Sequence, residues 1–366
     1  MMLVRRGRID RLLLFVVILI SILGVIFIYS ATWGQEKGSG LTFSALALKQ
    51  SLWVMIGFAF LFIIANVDYL RILNVAYLAY GLNLASLVFI LMFGGEHYGA
   101  RRWIDLGPIS LQPSEFVKIT VILALATFLG ERREKIGTLK NYLGAVILIM
   151  PAVVLIFLQP DLGTALVLVP ILFSMLFICG EKLKYLFWST AIGLGSLPFF
   201  WGMLKGYQKT RLMVFMNPNL DPLGAGYTII QSKIAIGSGG IFGKGWLSGT
   251  QSYLRFLPER HTDFIFSVIG EEWGFIGAAV LIGLYALVIF RGIKIISTAN
   301  NIYGKAIATG VVTLIAFQVL VNISMTIGLM PVVGLPLPGI SYGGSNTVAS
   351  LIGVGFLLSV GRRVSR

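Results

Sequence analysis

Residues 5–29 read RRGRIDRLLLFVVILISILGVIFIY, a cluster of arginines followed by eighteen residues without a single charge. That apolar run is long enough for a helix to cross the hydrocarbon core of a bilayer and too long for a signal-peptide core. With no obvious small-residue cleavage site, it predicts an uncleaved first membrane span.

Nine further apolar segments follow, at 52–67, 72–93, 115–129, 143–158, 162–180, 185–204, 264–290, 306–330 and 346–360. Over 366 residues the chain is 57% hydrophobic and only 12% charged, about half the charge of a soluble domain. The expected architecture is an all-α polytopic integral membrane protein. About ten transmembrane helices form a single domain over 1–366, with a large extracytoplasmic loop at 205–261 between the seventh and eighth.

The net charge of +14 reflects loops rather than a nucleic-acid surface. With the N-terminus inside, the cytoplasmic segments hold 17 Lys/Arg and 5 Asp/Glu, and the rest of the chain 12 and 10. This bias places both termini in the cytoplasm. Two histidines and the lone Cys179 leave no disulfide framework and no Cys/His zinc site, and they argue against haem and iron–sulfur chemistry.

The long loop contains 207–216, an amphipathic stretch, and a glycine-rich run over 237–249. Gly243 and Lys244 invite a phosphate-loop reading, but Ser238 stands where its first glycine is needed and Gly245 where its Ser/Thr is needed. Tight turns and close approach of backbone to a ligand both remain open for these glycines.

Ionisable residues inside a membrane are functional candidates because each is costly unless paired or hydrated. In 111–118 a proline opens a helix, and Glu115 and Lys118, three apart, share a face. In 159–164 a second Gln-Pro pair precedes Asp161, which either caps the next helix or serves a site. Arg101 and Arg102 lie beside Trp103 in an external loop, where lipid phosphates would also suit them. In 257–266, Asp263, Ser267 and Glu271 recur at i, i+4 and i+8. That spacing predicts one polar stripe descending about 12 Å into the membrane, facing protein or water. The uncharged stretch 334–345, broken by Pro336 and Pro338, predicts an irregular segment lining a cavity.

Four motifs, LQPSEFVKI from Leu111, LQPDLGTA from Leu158, FLPERHTDFIF from Phe256 and GLPLPGISYGGS from Gly334, together resemble the shape, elongation, division and sporulation (SEDS) family. The likeness runs from the first span to the last, and Arg260 favours its elongation branch. The resemblance implies a peptidoglycan glycosyltransferase that polymerises lipid II beside a class B penicillin-binding protein, the transpeptidase, and other elongation-complex membrane proteins. It implies a catalytic role for Asp263 and carries Glu115, Lys118 and Asp161 over as substrate-site residues.

A lipid-linked diphosphate substrate needs an apolar lateral entrance, cations for the diphosphate and a base near the surface. Lys118, Arg101, Arg102, Lys233 and Arg211 are the candidate cations, and Asp263 the candidate base. Ser341 joins the substrate-binding set, with Ser267 and Glu271 supporting. No tightly bound cofactor is expected, and a divalent cation, Mg or Mn, could share the diphosphate. A lipid II flippase and a non-catalytic scaffold are the alternative classes. A transporter more often carries inverted repeats and midplane charges.

Overall fold

The computed structural model describes residues 7, 9–33, 44–94, 102–105, 107, 110–204, 206–222, 224–254 and 256–363. Its helices are α1 (Arg11–Thr32), α2 (Ala45–Asn66), α3 (Tyr69–Leu73), α4 (Ala76–Phe93), α5 (Pro113–Glu131), α6 (Leu139–Leu158), α7 (Leu162–Ile178) and α8 (Leu183–Met203). They continue as α9 (Gly206–Met216), α10 (Ala225–Gly239), α11 (Thr250–Tyr253), α12 (Ile265–Thr298), α13 (Ile302–Thr326) and α14 (Gly344–Arg362). Strands β1 (Ile104–Asp105) and β2 (Ser110–Leu111) form a small antiparallel hairpin before α5.

Each of the ten apolar segments falls on a helix. Eight of these helices, α1, α2, α4, α5, α6, α12, α13 and α14, are long and apolar enough to cross a membrane. Helix α7, at 17 residues, sits at the lower limit. Polar side chains set several starts: Asp10, Thr138, Asp161 and Asn301 each accept a hydrogen bond from the backbone amide three residues on.

The bundle has a centre and a rim. In the most apolar window, 89% of α5, 78% of α14 and 72% of α13 is buried, against 22% of α2 and α4. The rim helices therefore turn large apolar side chains such as Leu78, Ile147 and Phe290 outward, as a lipid-facing surface requires.

The stretch 205–261 contains α9, α10 and α11, with α9 on the amphipathic stretch 207–216. The long helix after Asp263 is interrupted: α12 breaks at Gly274, whose φ of 64° and ψ of −159° are not helical. The break frees backbone groups that a membrane interior cannot hydrate, and the glycine-rich run supplies their partners. Lys244 N and Gly245 N donate to the carbonyls of Glu271 and Glu272 at 3.0 Å, while Phe275 N and Ile276 N donate to those of Gly240 and Ile241 at 2.9 and 3.2 Å. The glycines of 237–249 thus serve close backbone packing against α12, where sequence left a ligand reading open.

A methyl group at Gly274 would lie 2.6 Å from Ile241 O and against Gly243 N, on a backbone that L-residues avoid. Gly274→Ala should cost at least about 2 kcal/mol, read as a lower melting temperature in detergent. Gly283→Ala on the same helix, where a methyl meets nothing within 4 Å, should leave it unchanged or slightly raised.

Candidate active site

The segment 331–343 carries Pro331, Pro336 and Pro338 and forms no helix. Its carbonyls are taken up one by one. Asn322 Nδ2 donates to Leu335 O at 2.7 Å and also to Asp263 O at 3.0 Å. Tyr285 Oη donates to Pro338 O at 2.7 Å, and Arg211 Nη1 to Val332 O at 3.3 Å. The start of α7 packs closely enough that a Cβ on Gly163 would stand 2.6 Å from Val333 O. On the other side, Ser341 Oγ donates to Thr262 O at 2.6 Å and Tyr342 N to His261 O at 2.8 Å.

These bonds fix the turn that holds Asp263. The turn is anchored at its far edge by Arg260, buried, whose Nε donates to Ala31 O at the C-terminal end of α1, where a cation complements the helix dipole. Asp263 does not cap the helix that follows: the N-cap is Phe264 and no side chain serves it. Among the described residues nothing donates a hydrogen bond to the Asp263 carboxylate, which sits half-buried with Oδ2 facing Gly334. Burial pushes its pKa up to about 6, helped by the negative charges of Glu259 and Asp161 and opposed by Arg211 and Arg102.

Three of the residues singled out in the sequence, Asp161, Arg102 and Arg211, therefore act electrostatically on Asp263. Arg102 reaches over from the strand β1 side. Its Nε donates to Gln159 O at 3.0 Å, another guanidinium nitrogen donates to Pro160 O, and Nη1 lies 3.9 Å from Asp161 Oδ1. Asp161 caps α7 through Thr164 N at 3.2 Å and accepts from Gln112 Nε2 at 3.4 Å. The same carboxylate that caps α7 thus faces Arg102 and acts on Asp263.

Of the other candidates, Glu115, Lys118 and Ser341 have partners of their own. Glu115 and Lys118 form a sealed ion pair, Nζ to Oε2 2.7 Å, with side chains only 4% and 2% exposed. They sit on the most buried helix, where two charges satisfy each other, and neither is among the charges acting on Asp263. Lys233 is exposed on α10 with its ammonium over Gly328. Ser341 is fully buried, and its hydroxyl both donates to Thr262 O and accepts from Leu337 N at 2.8 Å. These two bonds hold the turn. Arg101 lies outside the described residues.

The polar stripe beneath Asp263 faces protein. Ser267 Oγ lies 2.6 Å from Ser232 Oγ of α10, which donates to Thr326 O at 2.6 Å. Glu271 accepts from Lys244 Nζ at 2.8 Å, and from Thr250 Oγ1 and Gln251 N at 3.0 Å. These bonds tie α10, α11 and the glycine run to α12. Asn322, the residue that joins Asp263 to 335, escaped a search restricted to ionisable side chains. Its signal was a polar pair, Gln318 and Asn322, one turn apart in an apolar span.

A family model described as cell cycle protein, covering FtsW, RodA and SpoVE, matches residues 10–366. The chain belongs to the SEDS family. It is 35% identical to the peptidoglycan glycosyltransferase RodA of Treponema pallidum (strain Nichols) over 97% of this chain and 98% of that protein. It is 45% identical to the peptidoglycan glycosyltransferase MrdB of Escherichia coli (strain K12), over 75% of this chain and 74% of that one. Among solved SEDS structures it resembles a chain from a peptidoglycan synthase complex that coordinates polymerization and crosslinking, with a TM-score of 0.81, 35% identity and 98% and 99% coverage of the two chains. It also resembles the rod shape determining protein RodA of Thermus thermophilus, with a TM-score of 0.73, 32% identity and 98% coverage of each.

The charges around Asp263 set its pH response. If the carboxylate must be ionised, activity rises with pH through about 6. Removing a negative neighbour with Glu259→Gln should move this acid limb to lower pH, and Arg211→Gln should move it higher. A pH profile of turnover for the three proteins checks both directions.

Proposed function

We propose that this chain is a peptidoglycan glycosyltransferase that polymerises lipid II into glycan strands during cell elongation. The 4-hydroxyl of the acceptor GlcNAc attacks the anomeric carbon of the donor MurNAc. The bond to the diphosphate oxygen breaks, the centre inverts to β, and undecaprenyl diphosphate leaves. One base suffices, unlike the two carboxylates of a hydrolase. Asp263 takes the hydroxyl proton, and Arg102 and Arg211 neutralise the departing diphosphate, with Arg101 and Lys233 as outer cations.

The observation that carries this reading is the unpartnered Asp263 carboxylate, ionising near 6 within the field of two arginines. Such a group is mostly ionised at neutral pH yet more basic than an ordinary aspartate. Mg or Mn would arrive with the diphosphate rather than occupy a cage of its own. Among the described residues no three His, Cys, Asp or Glu side chains cluster, and magnesium needs only one or two carboxylates, which Asp161 and Asp263 could supply.

In this reading both termini are cytoplasmic in the bacterial plasma membrane, and Asp263 opens to the extracytoplasmic side, as the distribution of basic residues supports. The partner is a class B penicillin-binding protein whose transpeptidase crosslinks the strands, within a set of elongation-complex membrane proteins. Likeness to a synthase-complex chain supports that pairing. A transporter of the same lipid would favour charges near the midplane, whereas this cluster gathers where α7 and α12 begin.

Polymer formation from labelled lipid II in detergent, where flipping has no meaning, separates the two classes. With partner and divalent cation present, the wild-type chain should make polymer and Asp263→Asn should lose at least about 100-fold. The Asn variant should also melt no lower above pH 6. A carboxylate whose pKa is raised on folding stabilises at low pH and loses that contribution as pH passes about 6, so an amide removes a penalty. Absence of polymer from the wild-type chain would reject the enzyme, and full activity of the Asn variant would reject Asp263 as base.

A further inference from the structure

At the end of the bundle where α1 starts and α14 ends, α1 and the last turns of α12 and α14 line an open cavity of about 390 Å³. Counted along α12, it lies on the order of 40 Å from the Asp263 turn. Gly7 N donates to Arg362 O there at 2.7 Å. The volume is that of a small-molecule site, and nothing in the mechanism above uses it.

The cavity walls are basic. Arg11, Arg291 and Lys294 line it against one acid, Asp10. That acid is fully committed: Oδ1 accepts from Leu13 N at 3.0 Å, and Oδ2 accepts from Arg291 Nε and Nη2 at 2.9 and 2.6 Å. The neighbouring arginines are also spent on protein, Arg362 on Ala65 O and Asn66 Oδ1, Arg363 on Asp68. Arg11 and Lys294 are exposed, and among the described residues neither joins an ion pair. Thr298 also lines the wall, its hydroxyl donating to Lys294 O at 2.9 Å within α12. Two exposed cations that join no ion pair among the described residues suit a phosphate-type anion.

A soluble anion and a lipid headgroup share that chemistry, and the surroundings favour the lipid. Leu12 and Ile295 complete the wall, and the same two helices present exposed apolar side chains beside it: Phe15 on α1, Phe290 and Ile293 on α12. Acyl chains would lie against these while the headgroup fills the cavity. Basic pockets between helices at a membrane face hold anionic headgroups in this way. We propose that this cavity binds the phosphate headgroup of an anionic membrane phospholipid, at the face opposite the Asp263 site.

The full-length chain in detergent, titrated with phosphatidylglycerol and followed by native mass spectrometry, tests this. Each cation removed should weaken retention about fivefold, so Lys294→Gln loses about fivefold and Arg11→Gln/Lys294→Gln about 25-fold. Lys140→Gln/Lys184→Gln, an equal loss of charge outside the cavity, should bind as the wild type does. Melting temperature, measured alongside, should be the same for all. The proposal is overturned if the control loses as much as the cavity variant. It is equally overturned if phosphatidylethanolamine binds as tightly as phosphatidylglycerol, or if soluble glycerol phosphate is retained as well as the lipid, which would make this a free-anion site.

Discussion

Non-helical backbone inside a membrane bundle persists only if its polar groups find partners in protein, and the segment 331–343 meets that demand through side chains that also build the site. The double hydrogen bond from Asn322 to Leu335 O and Asp263 O is the joint on which both depend. One amide, buried at the centre of the bundle, satisfies a carbonyl of the irregular segment and fixes the backbone of the candidate base. Ser341 repeats the device from the other side through Thr262. Loss of either partner would leave a buried carbonyl orphaned and release the Asp263 turn together.

The same logic separates two kinds of charge. Arg102 is held by main-chain carbonyls and faces Asp161, Arg211 is held by Val332 O, and both act on Asp263. Glu115 and Lys118 cancel each other in a nearly closed interior. Replacing one alone would strand the other, a change that costs several kcal/mol in buried pairs. An activity loss there would report on folding before it reported on substrate.

Much of this was legible in the sequence because the strongest signals are one-dimensional. Apolar runs marked every long helix, and the Pro-rich 334–345 stretch announced a non-helical segment. Asp263, Asp161, Arg102 and Arg211 were found because charges in an apolar chain demand explanation. The break at Gly274 was not legible: a single glycine is tolerated in many helices, and only the loop that binds the freed carbonyls of Glu271 and Glu272 makes the kink stable. For Glu115 and Lys118, spacing showed that two charges share a face but not that they pair with each other in a nearly closed interior. Asn322 was missed because its role lies in hydrogen bonding across three elements rather than in charge.

The central claim is that a lipid-linked diphosphate is received between Arg102 and Arg211 with its sugar against Asp263. A cryo-electron microscopy structure of this chain with lipid II bound tests that claim most directly. The account expects diphosphate oxygens within about 3.2 Å of guanidinium nitrogens of both arginines, and the Glu115–Lys118 pair intact. A diphosphate seated on Lys118 with that pair broken, and Asp263 remote from either sugar, would contradict it.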